Sequence, residues 1–137
     1  MMTFRITLLS GLFALSVLSA ACSSAQTPPK APPAPDAVVG MTNTLRFEPD
    51  TVRVPVGGTV EWRNTSLLVH TVTGDPARAT LEGSARLPEG AEPFDSGNLE
   101  PEAVFRHTFT VPGVYGYFCI PHEGAKMKGV VIVTPKQ

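Results

Sequence analysis

Along residues 44–66, "TLRFEPDTVRVPVGGTVEWRNTS", apolar and polar side chains alternate almost one by one. Val52, Val54 and Val56 fall on one side, against Arg53 and Pro55. Gly57-Gly58 breaks the run, and Val60 and Trp62 then alternate with Glu61 and Arg63. A period of two marks a half-buried strand, and a glycine pair between two such runs marks a turn. The pattern recurs downstream. "LLVHTVT" (67–73) is another β-rich run, and "AVFRHTFTVPGVYGYFC" (103–119) gives a strand, a Pro-Gly turn and a second strand. "KGVVIVTP" (128–135) closes the chain as a buried, β-branched strand. Between them "PARATLEGSARLPEGAEP" (76–93) is a long loop with one helical turn around Leu81–Leu87. Fourteen prolines and twelve glycines suit short strands and many turns. About seven or eight short strands in this spacing predict an all-β fold, an antiparallel β-sandwich. The pattern disfavours a parallel α/β fold, because no amphipathic helix separates the strands.

The N-terminus sets the compartment. Arg5 precedes "ITLLSGLFALSVLSAA", an uncharged apolar run that ends in small residues before Cys22. The run approaches a minimal membrane span, but its small-residue ending is that of a secretory signal peptide, residues 1–21. "LSAAC" is similar to a bacterial lipobox, which makes Cys22 a lipidation site. Leu18 lies one position further from Cys22 than the usual pattern, and Ser19 stands where leucine is preferred. Cleavage after Ala25, with Ser23 and Ala25 as the small pair, is the alternative. Either way the protein is exported to the periplasm or cell envelope. "AQTPPKAPPAPD" (25–36) is rich in proline, which fixes φ and stiffens a spacer. Residues 22–36 therefore read as a tether and 37–137 as the folded domain.

In an exported chain, a cysteine without a partner is reactive, paired with another molecule, or bound to something. Cys119 is that cysteine, in "YFCIPHEGAKM" (117–127), with His122 and Met127 beside it. Thiolate and thioether are soft ligands, and imidazole suits copper and zinc. A zinc site would offer more cysteine, histidine or carboxylate ligands, so the methionine points toward copper. A trigonal His2Cys site with a weak axial methionine needs a second histidine. His70 lies in "NTSLLVHTVTGD" near a strand end, whereas His107 sits mid-strand in "VFRHTFT". Placement favours His70 and leaves His107 as a strand residue. Taken singly, each residue also has a plainer reading: Cys119 in the core, Met127 filling a gap, His122 on the surface. The net charge of −1 provides no basic stripe for nucleic acid.

"GVYGYFCIPHEGAKMKGVVIV" (113–133) resembles the C-terminal signature of blue copper proteins of the plastocyanin/pseudoazurin type, the cupredoxins. "FEPDTVRVPVGGTVEWRNTS" (47–66) and "FDSGNLEPEAVFRHTFTVPGVYGYFC" (94–119) are similar to the same family. The resemblance implies a Greek-key sandwich holding one type 1 copper ion. His70, Cys119 and His122 would be its equatorial ligands and Met127 the axial one. It implies a one-electron carrier, not an enzyme, monomeric and meeting transient redox partners near His122. An apolar collar of Leu67, Leu68, Pro121, Gly124 and Ala125 would surround that port, with Lys126 and Lys128 as solvated flanking charges. Thr71 stands where plastocyanins carry asparagine, which leaves open what buttresses the cysteine loop. The 76–93 loop differs from the family's loops, which leaves open any partner surface there. A copper-binding or delivery lipoprotein without redox turnover is the alternative, and a metal-free interaction module a third reading. A nitrite reductase would need a second copper site and a second such domain.

Overall fold

The structure, a computed structural model, describes residues 31–136. The expected signal peptide and the expected lipidation site, Cys22, lie outside the described residues. Among the described residues nine strands follow in chain order: β1 (Ala37–Met41), β2 (Phe47–Glu48), β3 (Thr51–Pro55), β4 (Thr59–Asn64), β5 (Thr73–Gly74), β6 (Phe94–Asp95), β7 (Val104–Thr108), β8 (Gly113–Phe118) and β9 (Lys128–Thr134). They form a four-stranded sheet, β2-β1-β4-β7, and a five-stranded sheet, β3-β9-β8-β5-β6.

The sandwich expected from the alternation is there, with corrections. Both sheets are mixed, because β1 runs parallel to β4 and β3 parallel to β9. Alternation reports which face is buried and says nothing about the direction of the neighbouring strand. The strand count rises to nine because β2, β5 and β6 are two residues each, too short to show a period. "LLVHTVT" is mostly irregular: only Thr73 joins a strand, and His70 makes a single bridge to Leu99. The one helical turn of the long loop falls at Pro76–Arg78, not around Leu81–Leu87. Proline pre-sets φ for a first helical turn, and the Asp75 side chain accepts the Ala77 N–H as its cap.

Packing follows the alternation. Val52 and Val54 of β3 point inward between exposed Thr51, Arg53 and Pro55. Trp62 is wholly buried, with the rings of Tyr117 and Phe105 at 5.3 and 5.7 Å and those of Phe94 and Phe109 at 6.3 Å. A buried aromatic of ~150–250 Å² is worth at most about 4–6 kcal/mol by area. Tyr117 lies across β9, where it faces Gly129 in register. A Cβ at Gly129 would come within 2.3 Å of the Tyr117 ring, so this position has room only for glycine.

Glu61 departs from the simple pattern. It faces away from the core, yet is only 2 % exposed. Arg106, its cross-strand partner in β7, reaches it with Nε 2.6 Å from Oε2, and Arg63 covers it from the same strand. The Arg63 hydrogen bond holds the Glu61 carboxyl below its ordinary value; burial opposes this and Arg106 adds to it. A depressed carboxyl pKa contributes stability above the unfolded value, lost as pH falls through the folded one. Glu61→Gln is therefore expected to flatten the acid limb of stability, which urea midpoints from neutral pH to about pH 3 would reveal.

Strand register also places the candidate site. Phe118 and Lys128 form the last pair of the β8–β9 ladder. Beyond them the Cys119 N–H donates to the Met127 carbonyl at 3.1 Å, closing the base of the intervening loop. Ile120–Ala125 form a 3-10 segment, and Lys126 reverses the chain at φ 59°. At the same end of the sandwich, His70 bonds to Leu99 through both of its backbone groups, at 3.1 and 2.8 Å.

Candidate metal centre

Cys119 leaves β8 wholly buried. The His122 N–H donates to the Cys119 carbonyl at 3.1 Å, a tight turn that brings the imidazole back over the sulfur. His122 Nδ1 lies 3.4 Å from Cys119 Sγ, and His70 Nδ1 lies 3.6 Å from it on the other side. Donor atoms of the three residues all fall within 4.8 Å of one another, the one such group of His, Cys, Asp or Glu among the described residues. Metal–nitrogen and metal–sulfur bonds of about 2.0–2.3 Å place neighbouring ligand atoms about 3.5 Å apart, so the spacing fits one small ion. Met127 is wholly buried at the end of the same loop, its N–H donating to the His122 carbonyl at 3.3 Å. His107 lies elsewhere, half-buried and stacked on Phe94 at 4.5 Å, and burial lowers its pKa.

Hydrogen-bond accounting sets the tautomer of His70. Asn64 Nδ2 donates to the carbonyls of Leu68 and Leu99, at 2.7 and 2.9 Å, which turns Oδ1 toward Ser66. Oδ1 accepts the Ser66 N–H at 3.0 Å and the Ser66 hydroxyl at 2.7 Å. The hydroxyl's other possible acceptor, the Leu68 carbonyl, lies further off at 3.2 Å. Either way its single proton is committed to an acceptor. Ser66 Oγ then accepts the Leu68 N–H at 3.1 Å and meets His70 Nε2 at 2.9 Å. Nε2 must therefore carry a proton, and the Nδ1 lone pair faces the sulfur. Burial pushes the His70 pKa down, the charge of His122 adds to this, and the Thr42 backbone opposes it. Ser66→Ala is expected to orphan Nε2–H and to weaken metal affinity by about 10–100-fold. Long-range nitrogen–proton NMR of the metal-free protein would show the His70 tautomer becoming mixed.

The Thr71 N–H donates to Cys119 Sγ at 3.3 Å, and Thr71 Oγ1 accepts the Ile120 N–H at 2.8 Å. The threonine hydroxyl thus buttresses the cysteine loop, the point its departure from asparagine left open. Thr73 Oγ1 lies 3.3 Å from Thr71 Oγ1 and 2.9 Å from Asp95 Oδ1, and extends the support to β6. Burial pushes the Cys119 thiol up, opposed by the N–H groups of Thr71 and His122. His122 is half-buried, and Leu67 (84 %), Leu68 (41 %), Pro121, Gly124 and Ala125 are all exposed.

Sequence reasoning missed Asn64, Ser66 and Glu123, three buried polar residues around the site. Ser66 and Asn64 looked like ordinary turn residues. The usable signal was their placement four and six positions before His70.

A family model described as copper-binding proteins, plastocyanin/azurin family, matches residues 35–134. A plastocyanin of Scenedesmus fuscus is 35 % identical over 92 residues, covering 67 % of this chain and 90 % of that one. A halocyanin of Natronomonas pharaonis is 35 % identical over 92 residues, covering 66 % of this chain and 50 % of its own. Among solved structures, a novel purple cupredoxin from Nitrosopumilus maritimus superposes with a TM-score of 0.56 at 26 % identity, over 72 % of this chain and 100 % of that one.

Proposed function

The chain belongs to the plastocyanin/azurin family of copper-binding proteins, and we propose that it is a one-electron carrier of the bacterial cell envelope. Its copper ligands are His70 Nδ1, Cys119 Sγ, His122 Nδ1 and the Met127 thioether. The observation that carries this reading is the convergence of two imidazole nitrogens on one buried sulfur, at 3.4 and 3.6 Å. Bound copper supplies one-electron exchange between Cu(I) and Cu(II). The protein's part is to hold its ligands in one arrangement for both states. Ser66 orients His70, the Thr71 N–H and hydroxyl hold Cys119 and Ile120, and Met127 is bonded through its backbone to both Cys119 and His122. Neighbours that fix ligands in this way also tune a metal's potential.

His122, half-buried in an apolar rim, is the electron port. Leu67, Leu68, Pro121, Gly124 and Ala125 offer transient partners a small dry contact, which suits a weak encounter of a monomer with its donor and acceptor. Residues 1–21 are the signal peptide, 22–36 the tether and 37–137 the working domain. Lipidation at Cys22 holds it to the envelope, and an acyl mass on a Cys22 peptide is the check. Against the delivery alternative stands the complete burial of His70, Cys119 and Met127, since a delivery site must open to hand over its metal. Challenging the copper-loaded protein with a chelator separates the two. A carrier keeps its metal through repeated reduction and reoxidation, whereas copper lost within seconds would favour delivery.

A further inference from the structure

We propose that Glu123 is a positioning residue for His122: its carboxylate clips the ligand loop to the turn at residues 79–84, making the 76–93 loop part of the frame of the metal centre. The inference rests on the reading of His122 as a ligand. Glu123 directly follows His122, yet its side chain turns inward and only 5 % of the residue is exposed, while Pro121, Gly124, Ala125 and Lys126 around it are exposed. A buried carboxylate ordinarily needs a cation. The ion pairs among the described residues involve Glu61 and Asp95, not Glu123.

Dipoles of the 76–93 loop take the cation's place. The Thr80 N–H lies 3.1 Å from Oε1 and 3.2 Å from Oε2, and the Leu81 N–H lies 2.9 Å from Oε1. The Thr80 hydroxyl donates to Oε2 at 2.6 Å. Successive backbone N–H groups turned to one anion form a concave nest, and bonds to an ionised acceptor are the stronger kind.

A clip positions its target only if its far side is fixed, and here it is. Arg78 pairs with Asp95 of β6. Arg86 exchanges both backbone bonds with Gly116 of β8, at 3.0 and 2.8 Å. On the near side the Glu123 carbonyl accepts the Lys126 N–H at 2.9 Å, the bond that reverses the chain ahead of Met127. Without the clip, Ile120–Ala125 would hang on short 3-10 bonds of poor geometry.

Glu123→Gln keeps the shape but sets an amide N–H2 among N–H donors, and Thr80→Val removes the hydroxyl and keeps the charge. In the metal-free protein, Glu123→Gln is expected to speed hydrogen exchange at the Thr80 and Leu81 amides by about tenfold or more, with Thr80→Val intermediate. In the copper-loaded protein, pulsed EPR is expected to show one of the two histidine nitrogen couplings shifted in Glu123→Gln, and the same one, by less, in Thr80→Val. Faster exchange with unmoved couplings would make Glu123 a loop staple only and overturn the positioning role. Unmoved exchange would overturn the clip itself. A wild-type protein lacking intense visible absorption would overturn the copper reading beneath both, an outcome distinct from a blue wild type with unresponsive variants.

Discussion

Cys119→Ser abolishes the intense visible absorption of the copper-loaded protein and leaves the sandwich folded. The absorption of such a centre originates in the bond between copper and a thiolate, and a hydroxyl is a harder, far weaker ligand. Folding survives because Cys119 stands just beyond the β8–β9 ladder, whose six register pairs do not involve its side chain. The Thr71 N–H, now 3.3 Å from Sγ, meets a hydroxyl oxygen instead, so no donor is orphaned. The cost to stability should stay near the ~1–3 kcal/mol of one imperfectly satisfied buried polar group. Absorption spectra with a urea titration read both arms, and a serine variant that remained blue would remove Cys119 from the coordination shell. His107→Ala is the control. His107 stacks on Phe94 at 4.5 Å, outside the cluster of donor atoms, so its loss should leave the spectrum intact.

Met127→Gln keeps the metal and lowers the reduction potential. The side chain is wholly buried at the end of the ligand loop, and an amide oxygen in place of the thioether is a harder donor, better suited to Cu(II). Each tenfold relative gain of the oxidised state lowers a one-electron potential by about 59 mV, and a drop of at least about that size is expected. The loop itself should hold, because Met127 is tied to Cys119 and His122 through its main chain, which the substitution does not touch. Voltammetry of the two proteins at one pH is the measurement. Equal potentials would show that Met127 is a core residue only.

The candidate ligands of the ligand loop were legible because their chemistry is local. Cys119, His122 and Met127 fall within nine residues of the chain, and a soft-ligand set in one loop is a rare coincidence. His70 is far away in sequence, and only its place near a strand end favoured it over His107. The alternation of Val52, Val54, Val60 and Trp62 displayed a sandwich because side-chain direction in a strand follows local geometry. Strand direction does not, so the parallel pairings β1–β4 and β3–β9 were invisible. The polar surround was hidden for a different reason. Asn64, Ser66 and Glu123 look like surface residues until the fold removes their water, and their partners lie up to 43 positions away. Glu61 is the same case in the sheet: an outward position becomes buried only when Arg106 arrives from β7.

In the proposed function, two histidines, one cysteine and one methionine form a type 1 copper centre that cycles electrons. The visible and EPR spectra of the protein loaded with one equivalent of Cu(II) test it most directly. An intense visible band, a small copper hyperfine splitting, bleaching by ascorbate and full recovery on reoxidation are the expected result. A faint band with the large splitting of a tetragonal Cu(II) ion, or a protein that does not recover after reduction, would contradict it.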